Sequence, residues 1–131
     1  MRYLVDTDCV IDWLNDIHET VETLRTLSPE GLGISLITYG EVYEGVYFGR
    51  NPDQAERGFL RFLRIADVVA LDEGVMRVFA RLRGELRRQR QTVGDGDILI
   101  AASAIYNDLD VVTRNQRDFA RIPGLRLYQP A

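Results

Sequence analysis

Four acidic residues stand where short apolar runs give way to helical patterns: Asp6, Glu41, Asp97 and Asp118. Asp6 follows Tyr3-Leu4-Val5, Glu41 sits within Thr38-Tyr39-Gly40-Glu41-Val42, Asp97 opens Ile98-Leu99-Ile100-Ala101-Ala102, and Asp118 follows Thr113-Arg114-Asn115-Gln116-Arg117. Singly, each has an ordinary explanation, because Asp and Glu favour helix N-termini through capping and the macrodipole. Together they can do chemistry. Carboxylates gathered within a few ångströms repel, so at least one has a raised pKa unless a cation sits among them. Oxygen donors, with the lone His18 and Cys9 outside the pattern, favour Mg2+ or Mn2+ over zinc or copper. Such an ion lowers the pKa of a bound water and neutralises charge building on a phosphoryl group, which makes phosphodiester hydrolysis the reaction class.

The elements that must position these residues follow from periodicity. Apolar runs of strand length alternate with stretches of helical period, the pattern of an α/β domain on a parallel sheet. Strands are predicted at Tyr3–Val5, Gly33–Ile37, Asp67–Leu71 and Asp110–Thr113, with an edge strand at Leu125–Tyr128 after Pro123-Gly124. Cys9, Val10, Trp13 and Leu14 repeat at helical spacing, and a second helix is predicted over Thr20–Leu27. Thr38 and Glu41 have the form of a capping box opening a helix to about Phe48. Asn51-Pro52 reads as an N-cap with proline at the first helical position of a helix to about Arg64. Asp72 is expected to cap the longest helix, whose Val75, Val78, Phe79, Leu82 and Leu86 keep one apolar face to about Arg90. Gly94-Asp95-Gly96 punctuates the chain before a helix from Asp97 that is apolar almost all round. Arg114–Arg121 reads as a loop with a helical turn. In such a sheet the ligand site lies beyond the carboxyl ends of the strands, where all four acids fall.

Composition narrows the classes. With 131 residues, 46 % hydrophobic and 27 % charged, one domain over residues 1–131 is expected, large enough to build a core without disulfides or structural metals. No uncharged apolar run approaches the roughly 18 residues of a membrane span. The short apolar opening meets Asp6 too soon for a secretory signal, so the expected location is the cytoplasm. Cys9, the sole cysteine, is expected to be a small core residue. The chain has no lysine, so all 16 basic residues are arginine and no lysine-dependent mechanism is open to it.

The net charge of −4 says little about how charge is distributed. Arg77, Arg81, Arg83, Arg87, Arg88 and Arg90 crowd one helix, against Glu85 alone. A solvated helix face accounts for them as well as phosphate binding does. Arg114 and Arg117, with Arg121, follow the fourth strand and are the better candidates for substrate phosphates. Tyr39, Tyr43, Tyr47 and Phe48 lie on the helix bearing Glu41 and are expected to serve as core or contact residues. Trp13 either packs internally or lines a groove for an apolar helix, and His18 is expected at the surface.

Leu4-Val5-Asp6-Thr7-Asp8, Thr38-Tyr39-Gly40-Glu41-Val42, Asp97-Ile98-Leu99-Ile100-Ala101-Ala102 and Val112-Thr113-Arg114-Asn115 with Asp118-Phe119 resemble the motifs of PIN-domain ribonucleases, most closely the VapC-type toxins of toxin–antitoxin pairs. The resemblance implies a three-layer α/β/α sandwich with a central parallel sheet and an endoribonuclease dependent on Mg2+ or Mn2+. It further implies a dimeric toxin blocked by a small antitoxin. Asp6, Glu41, Asp97 and Asp118 match the acidic quartet, Thr7 the hydroxyl residue beside the first aspartate, and Asn115 the polar residue after the fourth strand. Asp8 and Asp95 depart from the pattern by adding carboxylates, and Glu44 reads as a solvated helix residue.

A haloacid-dehalogenase-type phosphatase is the competing enzyme. Asp6-Thr7-Asp8-Cys9-Val10 resembles its opening motif and Val93-Gly94-Asp95-Gly96-Asp97 its late Gly-Asp motif, with Asp6 as covalent nucleophile and Asp8 as acid/base. That family balances its nucleophile with a lysine, which is missing, and its late motif follows a strand. A non-catalytic PIN-like binding module is the third reading, against which stand the four acids themselves.

Overall fold

The computed structural model describes residues 1–130, so only Ala131 of the expected domain lies outside it. Four strands, β1 (Tyr3–Val5), β2 (Leu32–Ser35), β3 (Ala66–Val69) and β4 (Asp110–Val112), form one parallel sheet in the order β3-β2-β1-β4. Parallel neighbours need long crossovers, and helices supply them. α1 (Thr7–Leu14) and α2 (His18–Leu27) lead from β1 to β2, α3 (Leu36–Tyr47) and α4 (Pro52–Phe62) to β3, and α5 (Glu73–Arg88) and α6 (Asp95–Tyr106) to β4. A four-residue helix, α7 (Gln116–Phe119), follows β4.

The side-chain alternation of a strand divides the core into two layers. Leu4 and Val111 face the side covered by α5 and α6, packing with Val75, Val78, Leu82, Ile98 and Ala102. Tyr3, Val5 and Val112 face the other side, with Val10 of α1, Leu24 of α2, Val42 of α3 and Phe59 and Phe62 of α4. The result is the α/β/α sandwich with a central parallel sheet. α5 buries Val75, Val78, Leu82 and Leu86 at helical spacing and ends at Arg88, short of the expected Arg90; its five clustered arginines, and Arg90 just beyond it, are all exposed. α6 is buried on most of its circumference, where Ala101, Ala102, Ser103 and Ala104 let it approach the sheet closely.

Asn51 and Asp72 cap α4 and α5 as expected, accepting from the N–H groups of Gln54 and Val75. The capping box at Thr38 does not form. β2 ends at Ser35, whose hydroxyl takes the N-cap place of α3, so the helix starts at Leu36 and Thr38 is buried within its first turn. α6 likewise starts two residues before Asp97, capped by Gly94. The expected edge strand at Leu125–Tyr128 is reduced to a single parallel bridge between Val111 and Leu127. The Val111 N–H donates to Arg126 and the Tyr128 N–H to Val111, at 2.9 and 2.8 Å.

Candidate functional site

β1 lies between β2 and β4, and the chain leaves β1 toward β2 on one side before returning to β4 on the other. The strand order therefore reverses between β1 and β4, the position where an open parallel sheet leaves a crevice at its carboxyl end. Asp6 is the first residue beyond β1 and Thr113 the first beyond β4, and the Asp6 N–H donates to the Val112 carbonyl at 3.1 Å.

Asp6 is only 3 % exposed. Its Oδ1 caps α1 by accepting from the Cys9 N–H at 2.9 Å, and its Oδ2 accepts from the Thr113 hydroxyl. Burial pushes the Asp6 carboxyl above its ordinary range, against the pull of the hydrogen bonds from Thr113 and Cys9. Glu41, on α3, accepts a 2.6 Å hydrogen bond from the Thr7 hydroxyl through Oε1, and the same hydroxyl lies 3.0 Å from that of buried Thr38. Gly96 makes room for this carboxylate: a Cβ there would stand 3.1 Å from Glu41 Oε2, so the start of α6 comes hard against α3.

Asp97, half-buried in the first turn of α6, shows what the arrangement means electrostatically. Its pKa is pushed up to about 6, first by desolvation and then by the charges of Asp6, Glu41, Asp118 and Asp8. Asp6 and Asp97, 91 positions apart in the chain, thus act on one another. Asp118 sits on α7, where Asn115 donates from Nδ2 to its Oδ2 at 3.1 Å and caps its N–H through Oδ1. A helix of four residues has no stability of its own. Phe119, 1 % exposed, roots it in the core beneath α5 and α6.

Of the other residues singled out by the sequence, Thr7 and Asn115 are engaged with Glu41 and Asp118. Arg117 is exposed and forms no ion pair among the described residues. Arg114 is paired with Asp12 at 2.6 Å. Asp95 pairs with Arg83 at 2.9 Å, and Asp8 and Glu44 are exposed. Cys9 is 2 % exposed, with its thiol pushed up by burial and by Asp6. Trp13 packs edge-on against Phe62, Tyr39 and Tyr43 pack on Phe59, and Tyr47, Phe48 and His18 lie at the surface.

Thr113 and Asp12 were not marked as site residues by the sequence reading. The signal for Thr113 was its place as the first polar residue after an apolar strand. For Asp12 it was an acid three residues after Cys9, on the side of α1 that is buried. Among the described residues, no three His, Cys, Asp or Glu side chains are arranged as a finished metal cage. The donor chemistry nonetheless suits a hard cation: the groups are carboxylates, crowded enough to raise Asp97, and a divalent ion would relieve the repulsion.

Residues 3–125 match the model of the PIN domain. The chain belongs to the PIN-domain family. The phosphatase alternative fails on its own motif, since Gly94-Asp95 opens α6 after α5 instead of following a strand. The tRNA(fMet)-specific endonuclease VapC of Shigella flexneri is 29 % identical over 96 % of both chains. Ribonuclease VapC2 of Rickettsia felis is 28 % identical over 97 % of this PIN domain and 96 % of that protein. The structure of VapBC2 from Rickettsia felis bound to a promoter DNA fragment superposes with a TM-score of 0.92, at 26 % identity over 100 % of both chains. DNA-bound VapBC from Salmonella typhimurium gives 0.91 at 28 % identity, covering 98 % of this chain and 97 % of that one.

Proposed function

We propose that this chain is a metal-dependent endoribonuclease, the toxin of a toxin–antitoxin pair, acting in the cytoplasm as a single nuclease domain and dimerising with a second copy. The observation that carries the reading is the crowding of Asp97 by the charges of Asp6, Glu41 and Asp118 beside the β1/β4 crevice, where Gly96 brings the start of α6 hard against Glu41. Asp6 and Asp97 would hold the principal ion, Mg2+ or Mn2+, and Glu41 and Asp118 would complete the set. When bound, such an ion acidifies water and neutralises charge on the phosphodiester.

The residues of the chain provide the rest. Thr113 and the Cys9 N–H fix both Asp6 oxygens, which keeps that carboxylate from swinging. Thr7 and Asn115 do the same for Glu41 and Asp118 and border the substrate. Arg117, exposed and next to Asp118 in the chain, would meet an RNA phosphate and offset the acidity of the site. No histidine base is required. A small antitoxin is the expected protein partner, as the VapBC assemblies of related chains suggest. No described helix is long and apolar enough to cross a membrane.

Cleavage of total RNA and of initiator tRNA, with Mg2+ or Mn2+ and with EDTA, tests the proposal. Internal cuts that require the ion and vanish in Asp97→Asn are the expected result. Undiminished cleavage in EDTA overturns the metal reading. A folded parent chain that binds Mn2+ and cuts no RNA overturns the nuclease reading.

A further inference from the structure

Asp12 is a carboxylate on a face of α1 built for apolar side chains. The helix buries Cys9, Val10 and Asp12 together, and Asp12 keeps 8 % of its surface. An unpaired charge there would be costly. Donors from two other elements meet it. Arg114 Nε lies 2.6 Å from Oδ2 and its Nη2 donates to Oδ1 at 3.1 Å, while Thr20 of α2 donates to Oδ2 at 2.9 Å. The guanidinium therefore engages both oxygens, a two-point geometry that fixes orientation as well as distance.

What Arg114 is attached to gives the pair its importance. It is preceded by Thr113, which donates to Asp6, and followed by Asn115, which donates to Asp118. The Asn115 N–H closes on Thr113 Oγ1 at 2.9 Å, and Gln116 Nε2 donates to the Thr113 carbonyl at 2.9 Å. Residues 113–115 lie between the end of β4 and the start of α7, where Asn115 is the N-cap and its carbonyl accepts from the Phe119 N–H at 3.3 Å. Among the described residues, the only ion pair tying this turn to α1, the helix that Asp6 caps, is the one between Arg114 and Asp12. The pair joins a buried carboxylate to a largely exposed guanidinium, an arrangement that is weak evidence for stability and in some proteins serves geometry.

We infer that Asp12 is a positioning residue, clamping Arg114 and the Thr113–Asn115 turn onto α1 so that the Asp6 and Asp118 carboxylates keep their relative placement. The inference rests on the four-carboxylate reading of the site and adds to it a residue that touches neither substrate nor ion. It also gives Arg114 a task other than gripping phosphate.

The test uses the full chain carrying Asp12→Asn, Arg114→Gln, both together, and Arg114→Lys, each checked for folding by circular dichroism. Kinetics on an RNA that the parent cleaves are paired with RNA binding in EDTA and with amide hydrogen exchange at Asn115 in EDTA, which reports the turn without ion or substrate. Each single variant is expected to lower kcat about tenfold to a hundredfold, with KM and metal-free RNA affinity within about twofold of the parent. The double variant should be no slower than the slower single one, and Arg114→Lys, which keeps charge without the fork, should fall between Arg114→Gln and the parent. Asn115 protection should drop in both single variants. Unchanged kcat and unchanged Asn115 exchange in Asp12→Asn would overturn the inference. So would an Arg114→Gln protein that loses RNA affinity and salt dependence in EDTA while Asp12→Asn keeps full kcat. Failure of the underlying site would look different: Asp97→Asn would cleave normally, while the exchange measurement would still report on the clamp.

Discussion

Two groups of carboxylates lie at opposite ends of β4. At its start, Asp108 and Asp110 are both met by Arg126, whose Nη1 and Nε lie 2.6 and 2.7 Å from them. At its finish, Asp6, Glu41, Asp97 and Asp118 share one crevice, and Asp97 feels the charges of the other three. Carboxylates thus serve as a fastening at one end, while at the other, among the described residues, only Asp118 has an arginine near it, Arg121 at 3.8 Å. Crowding of like charges that raises a carboxyl as it does Asp97 is characteristic of functional sites.

The sharpest way to break this contrast is to remove a charge from the crevice. Asp6→Asn and Asp97→Asn are expected to fold and to lose RNA cleavage by about a hundredfold or more; a gel-based assay showing parental rates for either would erase the functional distinction between the two ends. Titration with Mn2+ comes next. An ion that binds only the folded state at a hundred times its Kd adds about 2.7 kcal/mol, so the melting temperature of the parent should climb with Mn2+ while that of Asp6→Asn should barely respond. No rise in the parent would mean the crevice holds no divalent ion.

A smaller effect has the opposite sign. Because the folded-state pKa of Asp97 is raised to about 6, its ionised form opposes folding. The penalty is absent below the unfolded value near 4 and complete above pH 6. Asp97→Asn without divalent ion should therefore be more stable than the parent at pH 8, by about 1 kcal/mol once the half-exposure of the group is allowed for, or about 3 °C. The gain should fade toward pH 4.5. A variant less stable at pH 8 would show that Asp97 is held by contacts and not opposed by charge. The least effect is expected at the other end, where Arg126→Ala should lower the melting temperature slightly, and 1 M salt should shrink the difference.

Much of this architecture could be read from periodicity. The stripe at Val75, Val78, Leu82 and Leu86 gave α5, the Asn51-Pro52 and Asp72 signals gave the starts of α4 and α5, and the alternation of element types gave the parallel sheet. The starts of α3 and α6 were misplaced for one physical reason: Thr38 with Glu41, and Asp97 itself, have the composition of a helix start, but the cap is taken by whichever residue the strand or loop delivers first, here Ser35 and Gly94. Asp6 and Asp118 were legible because they come soon after β1 and β4, Glu41 because it lies on the helix that follows β2, and Asp97 because it opens a long apolar run. Their supports were not, since the bonds from Thr113 to Asp6 and from Arg114 to Asp12 span 107 and 102 residues and depend on β1 and β4 being neighbours. Strand order is a tertiary property that local pattern does not carry.

The segment running past Val111, joined to it by the bridge to Leu127 and two backbone hydrogen bonds, shields one flank of the sheet from recruitment by another molecule. Unpaired peptide groups along a strand invite intermolecular pairing, and here those of β4 are already taken. A chain shortened after Gly124 would bare them beside the apolar Val111 and Val112, so self-association into β-rich aggregates, more than loss of cleavage, is the defect to watch for in truncated forms.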